Sequence, residues 1–210
     1  MNRAPAPLPR RLAEAAESSP ALESLAAILR PLADALPDAP ILRGAPLGHA
    51  AHPLMTDLPL GLWMSSTVLD LAGRGHARSA DRLLGLGVLV SAPTALTGLA
   101  DWRRGDDRVR PVGALHAVLN TGALALYTTS WLLRRNGHRG AGVATSLVAG
   151  AVTAASGYLG GHMVTVLGSP HEQKTDTTTP SPADAPAHVA TEGRMHEGDG
   201  LPRAAGDRHA

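Results

Sequence analysis

Apolar residues collect in four stretches of this chain, at residues 58–73, 83–100, 111–133 and 140–168, separated by short charged clusters. Helices of a soluble bundle show a polar face repeating every 3.6 residues. Here residues 112–133 and 141–167 are small or apolar all round, with only scattered Ser, Thr, Asn and His. That pattern belongs to helices that meet lipid. It predicts an all-α integral membrane protein, a four-helix up-and-down bundle. The first stretch is short against the roughly 20 residues a crossing needs, and the fourth is long enough to tilt.

The two ends differ from this middle. Ser19-Pro20 reads as an N-cap followed by Pro at the first helical position. Leu22, Leu25, Leu29, Leu32 and Leu36 then recur at helical spacing. They predict an amphipathic helix over 20–37, kinked at Pro31, lying on the membrane surface or packed on a partner. Residues 1–18 are rich in Pro, Ala and Arg and read as mobile. From Ser169 onward the chain is too polar to build a core and reads as a disordered tail, with His171, His188, His196 and His209 scattered along it. Three regions follow: an N-terminal extension at 1–45, a four-span domain at 46–168 and a tail at 169–210. No internal repeat stands out.

Composition narrows the functions. There is no cysteine, which excludes disulfides, thiolate metal sites and Cys-held iron–sulfur clusters. A net charge of +1 gives no basic field to hold nucleic acid. Arg3, Arg10 and Arg11 are not followed by a continuous apolar segment, so no cleavable signal peptide is read. An even number of spans places both termini on one side. The expected location is the inner membrane, multi-pass, with both termini cytoplasmic. Arg and Lys near the span ends divide evenly between the two sides and do not set the orientation.

Up-and-down threading gathers His49, His52, Asp57, Thr97, Asp101, Trp102, His116, Asn120, Tyr158 and His162 on one side of the membrane. Ionisable groups inside a membrane are costly and tend to carry function. His116 and His162 each lie about 8–9 Å below their helix ends at 1.5 Å per residue. Matched depth on two helices suits haem b, a metal ion or a quinone, and imidazole ligates Fe, Cu and Zn. Gly160 and Gly161 beside His162 would admit a flat cofactor, and Gly157 with Gly161 forms a helix-packing spacing. His52, His116, His162, Gly160 and Gly161 are thus the candidate cofactor-binding residues, with His116 and His162 the candidate metal ligands. Asp57, Asp101, Trp102, Asn120 and Tyr158 would support them. Asp57 is placed to cap the first span. Trp102 is placed to anchor at headgroup level, with Asp101 paired to Arg103 or Arg104. Asp70 is placed to pair with Arg74 at i+4.

Four motifs in order carry a family resemblance. The segment His49-Ala50-Ala51-His52-Pro53-Leu54-Met55-Thr56-Asp57-Leu58-Pro59 resembles the HPLHPLLTDLP opening of a bacterial membrane family, domain of unknown function 2231. Gly98-Leu99-Ala100-Asp101-Trp102, Leu115-His116-Ala117-Val118-Leu119-Asn120 and Gly157-Tyr158-Leu159-Gly160-Gly161-His162 are similar to its other motifs. The resemblance spans about 45–168 and implies four membrane helices with no established activity. Some relatives carry a fused Rieske-type domain, which implies membrane redox chemistry; this chain, lacking cysteine, has no such domain.

No nucleophile–base pair, phosphate loop or zinc-protease motif is present, and the chain reads as more fitted to a non-enzyme. The leading expectation is a redox-associated membrane protein holding haem, a metal or quinone. Its partners would be the lipid bilayer, redox proteins and further copies of itself. The rivals are a non-catalytic scaffold or accessory subunit, and a small transporter or proton relay.

Overall fold

The computed structural model describes residues 5–169; expectations for residues 1–4 and 170–210 lie outside them. Six α-helices follow one another, and no strand occurs among the described residues. They are α1 (Leu8–Glu17), α2 (Pro20–Asp34), α3 (Ala51–Leu71), α4 (Ala77–Trp102), α5 (Val109–Arg135) and α6 (Arg139–Thr165), with short 3-10 turns at Pro40–Arg43, Ala45–Leu47 and Arg74–His76.

Two starts differ from the sequence reading. Helix α1 forms where a mobile segment was expected. Pro9 falls in its first turn, where a missing N–H costs no intrahelical bond, and Arg10 pairs with Glu14 across one turn at 2.8 Å. Helix α3 begins at Ala51, ahead of the apolar run. Pro53 sits in its first turn for the same reason. His52 is therefore helical, and Asp57 lies inside α3 as an exposed side chain rather than at a cap.

Helices α3 with α4, and α5 with α6, form two antiparallel hairpins. In the first, Ser66 donates to the Ala80 carbonyl (2.8 Å) while His52 reaches Thr94 at the other end. In the second, Ser130 donates to the Gly142 carbonyl (2.6 Å) while His116 reaches Ser156. The hairpins are copies of one plan. His52/His116, Ser66/Ser130 and the positive-φ turn glycines Gly73/Gly137 share an offset of 64 residues. Ala80/Gly142, Thr94/Ser156 and Gly98/Gly160 share an offset of 62, because the second turn is two residues shorter. The chain thus contains the internal repeat that its sequence hides.

Equivalent residues of a two-fold arrangement can touch each other only near its axis. Three such pairs do. His52 meets His116 with ring centroids 6.4 Å apart. Trp63 stacks on Tyr127 with centroids 4.0 Å apart. Arg134 donates to Asp70 at 2.7 Å. A pseudo-two-fold axis therefore runs lengthwise between α3 and α5, marked by histidines at one end and an ion pair at the other.

Polarity is distributed inside out around this axis. Ser66, Ser91, Thr94, Thr97, Ser130, Ser146, Ser156 and Arg134 are buried, while Leu54, Met64, Val68, Leu89, Leu132 and Val148 are exposed. The stretches Arg74–Trp102 and Arg139–Thr165 are long and apolar enough to cross a membrane. Helix α2 packs its half-buried Leu22, Leu25 and Leu29 toward the hairpins, contacting α5, and leaves Ile28 and Leu32 exposed. Helix α1 buries Ala13 and Ala16 against Val112 and Leu159.

Candidate functional site

The histidine pair is built symmetrically. His52, in the first turn of α3, has its Nδ1 3.0 Å from the Thr94 carbonyl and 3.3 Å from Thr97 Oγ1. His116, on α5, has its Nδ1 2.8 Å from the Ser156 carbonyl and 2.9 Å from Ser156 Oγ. A carbonyl can only accept, so in both rings Nδ1 carries the proton and Nε2 of the neutral ring holds a lone pair. Each ring also lies against a glycine of its own hairpin. A Cβ on Gly98 would sit 2.6 Å from His52 Cε1, and one on Gly160 would sit 3.2 Å from His116 Cε1. Asn120 donates its amide to His116 Nε2 at 2.9 Å.

His162 is engaged elsewhere. Its Nε2 lies 2.8 Å from Glu17 Oε1 of α1, with both side chains nearly buried. An ionised carboxylate only accepts, so Nε2 of His162 carries the proton. His116 therefore has His52, rather than His162, as its ring neighbour. Among the described residues no group of three or more His, Asp or Glu side chains could hold a metal ion.

Glu17 also accepts from Nε and Nη2 of Arg108. Burial alone would push this carboxyl up. The hydrogen bonds from His162 and Arg108, with their charges, outweigh it and hold Glu17 below its ordinary 4.5. A depressed carboxylate contributes stability that is fully present above its unfolded value and lost as pH falls through the folded value. The protection factors of the α1 amides, with the intrinsic pH dependence of exchange divided out, should accordingly keep the Glu17 contribution down to about pH 4.5 and lose it below. The variant Glu17→Gln should be less protected above about pH 4.5, converge on the wild type in acid and lose that acid step. An unchanged profile in the variant would remove Glu17 as the clasp.

The opposite end of the axis holds a cluster that local spacing did not reveal. Asp70 accepts from both terminal nitrogens of Arg134, at 2.7 and 3.1 Å, and from Arg139. Asp81 accepts from Arg139 at 2.7 Å and from Arg134 at 3.2 Å. Ser146 Oγ accepts from Arg134 at 2.9 Å. The expected Asp70–Arg74 pair does not form, because Arg74 lies in the turn beyond α3 while Asp70 faces the second hairpin. The side chains of Arg134 and Asp70 are 0% and 2% exposed, so this central pair locks the two hairpins together out of water's reach, with Arg139 and Asp81 partly exposed at its edge.

The remaining candidates are dispersed. His49 is exposed and its Nδ1 donates to the neighbouring Ala50 carbonyl at 3.1 Å. Trp102 donates to the Arg110 carbonyl at 3.0 Å and packs on Gly113. Arg103 turns to Asp38 and the Leu36 carbonyl, not to Asp101. Asp101 Oδ2 is buried without a hydrogen-bond partner among the described residues. Tyr158 is exposed, and Gly161 faces open space.

A helical protein with a polar axis, an apolar exterior and two stretches fit to cross a membrane belongs among membrane proteins by class. The family model described as "Predicted membrane protein (DUF2231)" matches residues 48–171, and the chain belongs to that family. No curated protein and no solved structure is matched.

Proposed function

We propose that the chain is a redox-associated integral membrane protein of the inner membrane, whose four long helices cross as an up-and-down bundle with both ends cytoplasmic. We place its ligand site at His52 and His116. The axis supports the crossing: from His52 to Asp70 it extends about 27 Å at 1.5 Å per residue, close to the roughly 30 Å hydrocarbon core. Helices α3 and α5 carry the axial His, Asp and Arg, and these groups turn inward, where a partner helix satisfies them.

The observation that carries the site is the matched hydrogen bonding of the two rings. A metal-bound histidine almost always donates its other ring N–H to a carbonyl or carboxylate, which fixes the tautomer and raises ligand basicity. Both histidines are held that way by the partner helix of their own hairpin. With Nδ1 protonated, Nε2 of each ring is the electron-pair donor a metal centre would take; on His116 the metal would replace the Asn120 amide that now donates there. An oxidised quinone is supported less well, since its carbonyls need a donor and the Nδ1 protons are already engaged.

Elemental analysis and a reduced-minus-oxidised spectrum of the detergent-purified chain test this reading. The expected result is one metal per chain, falling at least about ten-fold in His52→Ala and in His116→Ala. Metal-free protein showing no cofactor absorption would sink it. The exposed Leu8, Leu12, Ile28 and Leu32 on α1 and α2 favour a second reading, a scaffold. In that case the histidine variants would keep cellular function and deletion of residues 8–34 would abolish it.

A further inference from the structure

We infer that the ligand held by His52 and His116 is tetrapyrrole-bound iron, a haem with both axial positions supplied by this chain. The inference rests on the paired-histidine reading and goes one step further, to the chemical class of the ligand.

The number of donors favours haem. A bare zinc ion in a protein site takes four ligands, three or four of them protein side chains. Among the described residues no third His, Asp or Glu joins these two histidines. Iron in a porphyrin brings four nitrogens with it and asks the protein for one or two axial ligands, for which histidine is a usual choice. Two histidines therefore complete a haem site and leave a bare-ion site half made.

The separation of the rings favours it too. Two imidazoles bound to one metal on opposite sides, with nitrogen bonds of about 2.0 Å, place their ring centroids about 6 Å apart. The observed spacing is 6.4 Å, with ring planes at 88°. Ligands on opposite faces of a porphyrin need not be coplanar. The two-fold relation of the hairpins also gives the two faces equivalent surroundings: a ring on a glycine, with its N–H on a carbonyl.

The pair is also accessible. His52 lies in the first turn of α3, and neither histidine is fully buried. A haem edge carrying carboxylates could reach water there. Gly157 and Gly161, on an exposed face of α6, have open space where a Cβ would stand. The group to be displaced is the Asn120 amide on His116 Nε2, and the Asn120 side chain is exposed.

Hemin titrated into the full chain in detergent tests the assignment. The expected result is one hemin per chain with a six-coordinate, low-spin spectrum. His52→Ala and His116→Ala should each weaken binding at least ten-fold and turn any residual spectrum high-spin. His162→Ala should leave the spectrum unchanged, since that ring is held by Glu17, and Asn120→Ala should bind as tightly or more tightly. Because alanine could unsettle the fold, His116→Met is the second variant: it should keep hemin with a raised reduction potential, as Met/His ligation does. A hemin spectrum no different from that in empty micelles overturns the inference, as does low-spin binding that survives loss of either histidine. If hemin fails while zinc, copper or iron binds and is lost in the histidine variants, the haem assignment falls and the paired-histidine site stands. If neither binds, both fall.

Discussion

Replacing Arg134 by alanine is expected to cost about 3–5 kcal/mol, the range for removing one partner of a buried ion pair. The cost arises on the acidic side. Arg134 gives Asp70 two hydrogen bonds, and both side chains are out of contact with solvent. Without it the Asp70 carboxylate keeps only Arg139, whose side chain is 27% exposed, and the Ser146 hydroxyl loses the arginine it faces. Desolvation dominates this balance, so the double variant Asp70→Leu/Arg134→Met should recover most of the loss. Buried ion pairs are often replaced by apolar residues at little cost. Unfolding in mixed micelles, followed by Trp fluorescence, measures both. A single variant within about 0.5 kcal/mol of the wild type, the scatter usual for surface sites, would show that the hairpins do not depend on this lock.

The same cluster shows where reading along the sequence stops. Local spacing offered Asp70 a partner at Arg74, four residues away, and helix geometry made that reasonable. The actual partner is 64 residues on, brought to it by the pseudo-two-fold axis. The repeat was illegible because only a few positions match between α3 and α5: His52/His116, Leu60/Leu124, Leu62/Leu126, Ser66/Ser130 and Leu69/Leu133. The turns also differ in length. The copies coincide in hydrogen-bond register rather than in composition. All-round apolarity, by contrast, survives such divergence, because lipid asks only for hydrophobicity. That is why the helical class, the stretches fit to cross and the three histidines were visible. The grouping of those histidines was not, because α1, read as mobile, supplies Glu17 to His162 and leaves His52 beside His116.

The repeat makes its own forecast at Trp63. Its indole stacks on Tyr127, the equivalent residue of the other hairpin, and lies against Gly87 so closely that a Cβ there would meet the ring. Trp63→Ala should cost about 3–5 kcal/mol, the range for emptying a large aromatic site. The loss is that of the ring's packing on Tyr127 and Gly87. Trp63→Tyr should behave differently. Tyrosine already fills the equivalent position on the axis, and the Trp63 Nε1 is buried without a hydrogen-bond partner among the described residues, so the exchange gives up no hydrogen bond. The tyrosine variant should therefore lie within about 1.5 kcal/mol of the wild type, as volume-tolerant core exchanges do. Equal losses in the two variants, read from the same micelle unfolding, would mean that the site depends on the indole itself. The axis would then be a coincidence of contacts rather than a symmetry that the two hairpins still share.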